Sequence, residues 1–154
     1  MPSRRPQPQP SQRGFTIIEV LVSLLIFSVG LLGVVSLFGA AVRTSTSAEF
    51  RTMAAMMASD LIGRMWMSDR TYTTLQATYS STNQGGGYVA WKNMVTSSGL
   101  PEAASLAPTV TFTTVGGGGG ATAVNSSQAT ITIFWKAPGD GDVHQYVAVA
   151  QMKP

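Results

Sequence analysis

The chain is predicted to be an α+β protein: a long N-terminal helix, transmembrane and then amphipathic, packed on a small antiparallel β-meander. Three observations predict it. Val20 to Val42 are 23 residues without a charge. An apolar stripe at spacings of three and four then continues to Met65, and three short β-branched segments separated by Gly-bearing loops close the chain. With 154 residues, 44 % of them hydrophobic, the chain has room for one modest core and excludes a large multidomain enzyme. It has no cysteine, which removes disulfides, thiolate metal sites and a Cys nucleophile.

The first 14 residues, MPSRRPQPQPSQRG, are rich in Pro, Gln and Arg and lack apolar periodicity, so they read as a disordered, cytoplasm-facing arm. Arg4, Arg5 and Arg13 in this arm account for the whole formal charge of +3. From Phe15 onward acids and bases balance, both up to Arg70 and beyond it. A polyanion therefore finds no basic footprint on the body of the protein, and a nucleic-acid role is rejected.

The uncharged run from Val20 to Val42 is long enough, at about 1.5 Å per residue, to cross a hydrocarbon core of about 30 Å. Arginines before it place its N-terminus in the cytoplasm and the remainder in the periplasm or outside. An ordinary secretory signal cut after Ala41 fits less well, because the run exceeds the usual h-region and carries an acid near its start. The helical pattern passes the membrane edge: Phe50, Met53, Ala54, Met57, Leu61 and Met65 form one stripe, with Asp60 and Arg64 spaced as a favourable i,i+4 pair. No proline occurs between Pro10 and Pro101, so one helix is expected from about Phe15 to about Arg70.

Beyond Thr71 the composition turns to Thr, Ser, Gly and β-branched residues. A short helix is expected over Tyr88–Val95, with Trp91, Met94 and Val95 at helical spacing and Gly99 and Pro101 ending it. Thr109–Val115, Ala129–Trp135 and His144–Gln151 read as strands of a meander with room for a fourth edge strand. Packing the meander on the Phe50–Met65 stripe closes a two-layer domain.

Glu19 is the most informative residue. An acid inside a lipid-soluble helix costs about 2.5–3.5 kcal/mol or more at the bilayer centre, so it calls for a partner unless headgroups solvate it. It stands in Arg13-Gly14-Phe15-Thr16-Ile17-Ile18-Glu19, directly before the apolar helix. This segment resembles the signature of the type IV pilins and pseudopilins: a basic leader, a Gly, Phe-Thr-Leu-Ile-Glu and an apolar helix, here with one Leu-to-Ile difference. The resemblance implies that a prepilin peptidase cuts between Gly14 and Phe15 and that the new amine of Phe15 is N-methylated. It also implies that Glu19 meets the Phe15 amine of a neighbouring subunit during assembly. The implied organisation is a cleaved leader over 1–14, a transmembrane and filament-core helix over 15–42, and a periplasmic α+β head over 43–154.

Within that class the stretch from Glu19 to Gly33 is most similar to the minor pilins called type IV pilus modification protein PilV. Ala90-Trp91 and Thr130–Trp135 with Pro138 and His144 add to the likeness. The type II secretion pseudopilins of the I class share the N-terminal wording and are the alternative. The implied partners are the prepilin peptidase, other minor and major pilins, the inner membrane and a large tip adhesin. Many major pilins close a C-terminal disulfide loop, which a chain without cysteine cannot do. A surface-binding module at a pilus tip, using the Gly116–Ser127 and Ala137–Val143 loops, is a further expectation.

The remaining features favour plain readings. Gly30, Gly33 and Gly39 suit close helix packing in a membrane, with a segment at Gly30–Gly33 that loosens on leaving lipid as the sharper option. Met53, Met56, Met57, Met65 and Met67 are read as adaptable core filling rather than a soft metal site. Gly116–Gly120 is a hairpin tip and not a phosphate loop, since no Lys-Ser/Thr follows. Asp140, Asp142 and His144 could ligate a divalent ion, but a Gly-rich turn with solvated acids explains them, and no metal or cofactor is expected. One His and three distal acids offer no catalytic constellation, so no enzyme is expected.

Overall fold

The structure, a computed structural model, describes residues 16–116 and 126–154. The elements run α1 (Ile17–Met67), α2 (Tyr72–Tyr79), α3 (Gly86–Ser97), β1 (Thr109–Val115), β2 (Ser126–Trp135) and β3 (His144–Met152). The layout is the expected α+β one, a long apolar N-terminal helix followed by a small antiparallel sheet. The chain divides into two compact units, one through Arg43 and one from Thr44 to Pro154.

In the first unit the described residues form only the apolar part of α1. Large apolar side chains from Ile17 to Val42 are exposed around the whole circumference, so this stretch needs lipid or other helices as its solvent. It is long and apolar enough to cross a membrane.

The second unit has its own core. The remainder of α1 contributes Ala54, Ala58, Leu61 and Met65, all buried at spacings of three and four, with Phe50, Met53 and Met57 packed beside them. Leu75 and Tyr79 of α2 and Tyr88, Trp91 and Val95 of α3 complete the helical layer. The sheet supplies Val110 and Phe112 from β1, Ala129, Ile131, Ile133 and Trp135 from β2, and Met152 from β3. Its order is β1-β2-β3, antiparallel throughout, with Val110 opposite Ile131 and Ile131 opposite Ala148. Period-2 alternation puts the apolar set on one face and a Thr- and Gln-rich set on the other. A fourth strand is absent among the described residues.

Polar ties fix the layers. The Trp91 indole Nε1 donates to the Met57 carbonyl at 2.9 Å, joining α3 to α1. The Tyr88 hydroxyl donates to the Pro108 carbonyl at 2.7 Å, and burial pushes its phenol pKa up. Arg64 Nε donates to Asp60 at 2.7 Å, the expected i,i+4 pair, and its Nη2 reaches the Met94 sulfur at 3.2 Å. That hydrogen-bonded carboxylate holds the guanidinium pKa above its ordinary value. Among the described residues every buried side-chain polar atom has a partner.

Two departures from the sequence reading have local causes. The helix α2 was not anticipated, because Tyr-Thr-Thr-Leu-Gln-Ala-Thr-Tyr has weak helix propensity; burial of Leu75 and Tyr79 overrides it. Its start is organised by Asp69, whose carboxylate accepts the Thr71 N–H at 3.0 Å and the Thr71 and Thr74 hydroxyls at 3.2 and 3.0 Å. The methionines correct the second expectation: Met65 is buried and Met53 and Met57 half-buried, but Met56 and Met67 are exposed. They lie eleven positions apart, three helical turns, on the face that turns away from the core.

Glycine is demanded at several places, two of them bounding α3. A Cβ on Gly87 would sit 2.5 Å from the Tyr79 ring, where the start of α3 crosses the end of α2. Gly99, with φ +92°, takes the left-handed position just past α3, two residues before Pro101.

Trp91→Ala should destabilise the head by about 3–5 kcal/mol, read as a lowered denaturant midpoint; a shift below about 1 kcal/mol would show that this indole is not central to the core. The Asp69 carboxylate is held below its ordinary pKa, chiefly by the Thr71 backbone N–H and then by the Thr74 hydroxyl. A depressed pKa means that its contribution is full above the ordinary carboxylate range and is lost as pH falls through the lowered value. Amide exchange at Thr71–Thr74 should therefore accelerate selectively in that acid window, and Asp69→Asn should abolish the selectivity.

Candidate functional site

The chemistry-bearing end of the chain is the start of α1. Thr16 stands just before the helix, and its carbonyl accepts the Glu19 N–H at 3.0 Å and the Val20 N–H at 3.4 Å. Thr16 and Glu19 have the spacing of a capping box, a helix-start signal already present in the sequence. Glu19 is the acid of the first turn, where the helix dipole favours a negative charge. Its backbone carbonyl also accepts the Ser23 hydroxyl at 2.7 Å.

The Glu19 side chain is exposed, and among the described residues its carboxylate has neither a hydrogen-bond nor an ion-pair partner. The next cation along α1 is Arg43, 24 residues on and hence about 36 Å away at the helical rise. The helix itself cannot neutralise this charge. Gly14 and Phe15, the expected cleavage and methylation positions, lie outside the described residues.

The second candidate, in the turn between β2 and β3, is only partly assembled. Asp140 Oδ2 lies 2.8 Å from His144 Nε2, and the imidazole stacks on Trp135 with ring centroids 5.9 Å apart. Asp142 does not join them, and no group of three or more metal-ligating side chains occurs among the described residues. Two ligands on an open turn make a weak cation site; the Trp135 stack and the Asp140 contact already account for the histidine. Of the tip loop expected over Gly116–Gly120, only Gly116 is among the described residues.

Residues 9–35 match the family described as the prokaryotic N-terminal methylation motif. The match spans Gly14, Phe15 and Glu19 together with the first part of the apolar helix. It likens this N-terminal segment to that of prepilin-like proteins of the type IV pilin and pseudopilin kind, and α1 is long and apolar enough to cross a membrane. No curated protein and no solved structure matches the chain.

His144→Ala should change the head's unfolding free energy by less than about 1 kcal/mol, as for an exposed ion pair. Calcium or zinc should leave its thermal midpoint unmoved; a saturable upward shift lost in Asp140→Ala would instead identify a metal site.

Proposed function

We propose that this chain is a minor, low-abundance subunit of a bacterial type IV pilus, of the kind called type IV pilus modification protein PilV, acting in pilus assembly and the tip complex. It is structural rather than catalytic. The observation that carries this reading is Glu19: a carboxylate at the start of an uncharged, lipid-compatible helix, whose next basic side chain along the helix, Arg43, is about 36 Å away.

The roles follow in order. The peptidase cuts after Gly14 on the cytoplasmic side, and the leader arginines leave with the cut. The methylated amine of Phe15 becomes the first group of the helix, with Glu19 as the fifth residue. Within one helix these charges are separated along the axis, whereas a neighbouring subunit staggered by one turn brings its amine level with the carboxylate. A buried carboxylate is tolerable when such an ammonium neutralises it, so insertion into a filament relieves a charge that lipid solvates poorly. The apolar part of α1 exchanges lipid for other helices, and the head over 43–154 remains outside the membrane. Absence of cysteine favours a minor over a disulfide-looped major subunit.

Glu19→Ala should leave cleavage at Gly14–Phe15 unchanged while recovery in sheared filaments falls about a hundredfold or more, the effect of leaving one buried charge unpaired at about 3–5 kcal/mol. Normal recovery of the variant would refute the pairing. Mass spectrometry of the native membrane complex captured through this subunit tests the assignment. Minor pilins with a large tip protein support the pilus; secretion pseudopilins would instead place the chain in a type II secretion system.

A further inference from the structure

The two edges of the sheet differ. On the outer edge of β1, the Ser81 N–H donates to the Val110 carbonyl at 3.0 Å and the Val110 N–H donates to the Ser81 hydroxyl at 3.2 Å. No backbone bond of this kind reaches the outer edge of β3 among the described residues. Every second residue of β3 therefore presents its N–H and C=O outward. Devices that normally blunt such an edge are absent from the strand: β3 carries no lysine, acid, proline or glycine between His144 and Met152.

The sequence of β3 is nearly its own mirror image. Gln145-Tyr146-Val147-Ala148-Val149-Ala150-Gln151 reads the same from both ends about Ala148, apart from Tyr146 against Ala150. We propose that the free edge of β3 pairs antiparallel with β3 of a second copy of this chain, with the twofold axis at Ala148. In an isologous contact each residue i meets residue j of the other copy and j meets i, and the palindrome satisfies this pair by pair. Val147 stands opposite Val149 of the other copy, and Gln145 opposite Gln151. These four residues occupy the outer face, where Val147 and Val149 are 48 % and 57 % exposed.

Charge agrees with this register. Lys153 lies opposite Val143, beside Asp142 of the second copy, and symmetry makes the attraction twice over. Sliding the strands by two residues sets Val149 opposite Gln145, or Val147 opposite Gln151, and so breaks the valine and glutamine matches. The pairing joins two three-stranded sheets into one of six strands. Its buried area falls below the about 1,200 Å² of a stable soluble dimer, so it is a weak association that confinement to a membrane strengthens.

The test uses the full chain in inner-membrane vesicles, where Ala148→Cys supplies the sole thiol. Directly opposite strand residues lie about 4.5–5.5 Å apart between Cα atoms, inside disulfide range. Mild oxidation should give a covalent dimer from the Ala148→Cys chain and none from a Thr113→Cys chain on β1. In the Ala148→Cys background, Val147→Lys with Val149→Lys should abolish the dimer. Val147→Lys with Val149→Glu, which sets unlike charges opposite each other, should keep it. Because Ala148 faces the inner side, a mixture of Val147→Cys and Val149→Cys chains gives a reading from exposed positions alone: mixed dimers should exceed like-with-like ones. Cross-linking no faster than the Thr113→Cys control, or equal response to the two charge pairs, would overturn the proposal. These readings need no filament, so they are independent of the role assigned to Glu19.

Discussion

The sheet has one apolar face, and the structure of the head depends on what covers it. Val110, Phe112, Ala129, Ile131 and Ile133 project to the same side, and left uncovered they would hold a continuous apolar face in water. The cover is the stripe Ala54, Ala58, Leu61 and Met65, supplemented by α2 and α3. The small residues Ala54 and Ala58 admit close approach, and Trp91 fills the remaining space while its indole reaches the α1 backbone at Met57. Helix α1 is thus held to helical periodicity far beyond any membrane requirement, because a shift of one residue would turn the stripe by about 100° off the sheet.

The parts legible in the sequence were those set by periodicity. Strand β1 was bounded at Thr109 and Val115 as observed, since Thr-Val-Thr-Phe-Thr alternates and the segment is β-branched to its end. Strand β2 begins earlier than expected, at Ser126, because Ser126 and Ser127 are polar yet buried, and a hydroxyl that finds a partner escapes an apolar pattern; Ser126 bonds the Val115 carbonyl. Helix α2 was illegible for a related reason. Its stability comes from Leu75 and Tyr79 docking on the core and from a carboxylate two residues before its cap, both tertiary or side-chain effects that propensity does not count. The methionines show the limit of type without phase: five residues of one kind were assigned one environment, and the helical angle divides them.

At the functional end the position was reversed. The pattern around Gly14, Phe15 and Glu19 is carried by residue identity, and it was legible as a motif before any coordinates. What the structure adds is isolation: Glu19 stands without a described partner and far from Arg43. The Asp140–His144 contact adds the opposite, an apparent constellation resolved into a stacked ring and a two-residue contact on an exposed turn.

An unpaired carboxylate facing hydrocarbon and an unpaired strand edge facing water make different demands. Lipid offers no hydrogen bonds or dipoles to an ion, so a charge there is worth several kcal/mol and its neutralisation can drive assembly. Water satisfies a free strand edge almost as well as another strand does, and the net gain per backbone bond is about 0.5–1.5 kcal/mol. In the proposed pairing the β3 edge supplies selectivity rather than drive: its palindrome favours one partner and one register among many weak ones. An association of this strength is reversible, so a head engaged through β3 can release when a stronger demand, made by the helix, is met elsewhere.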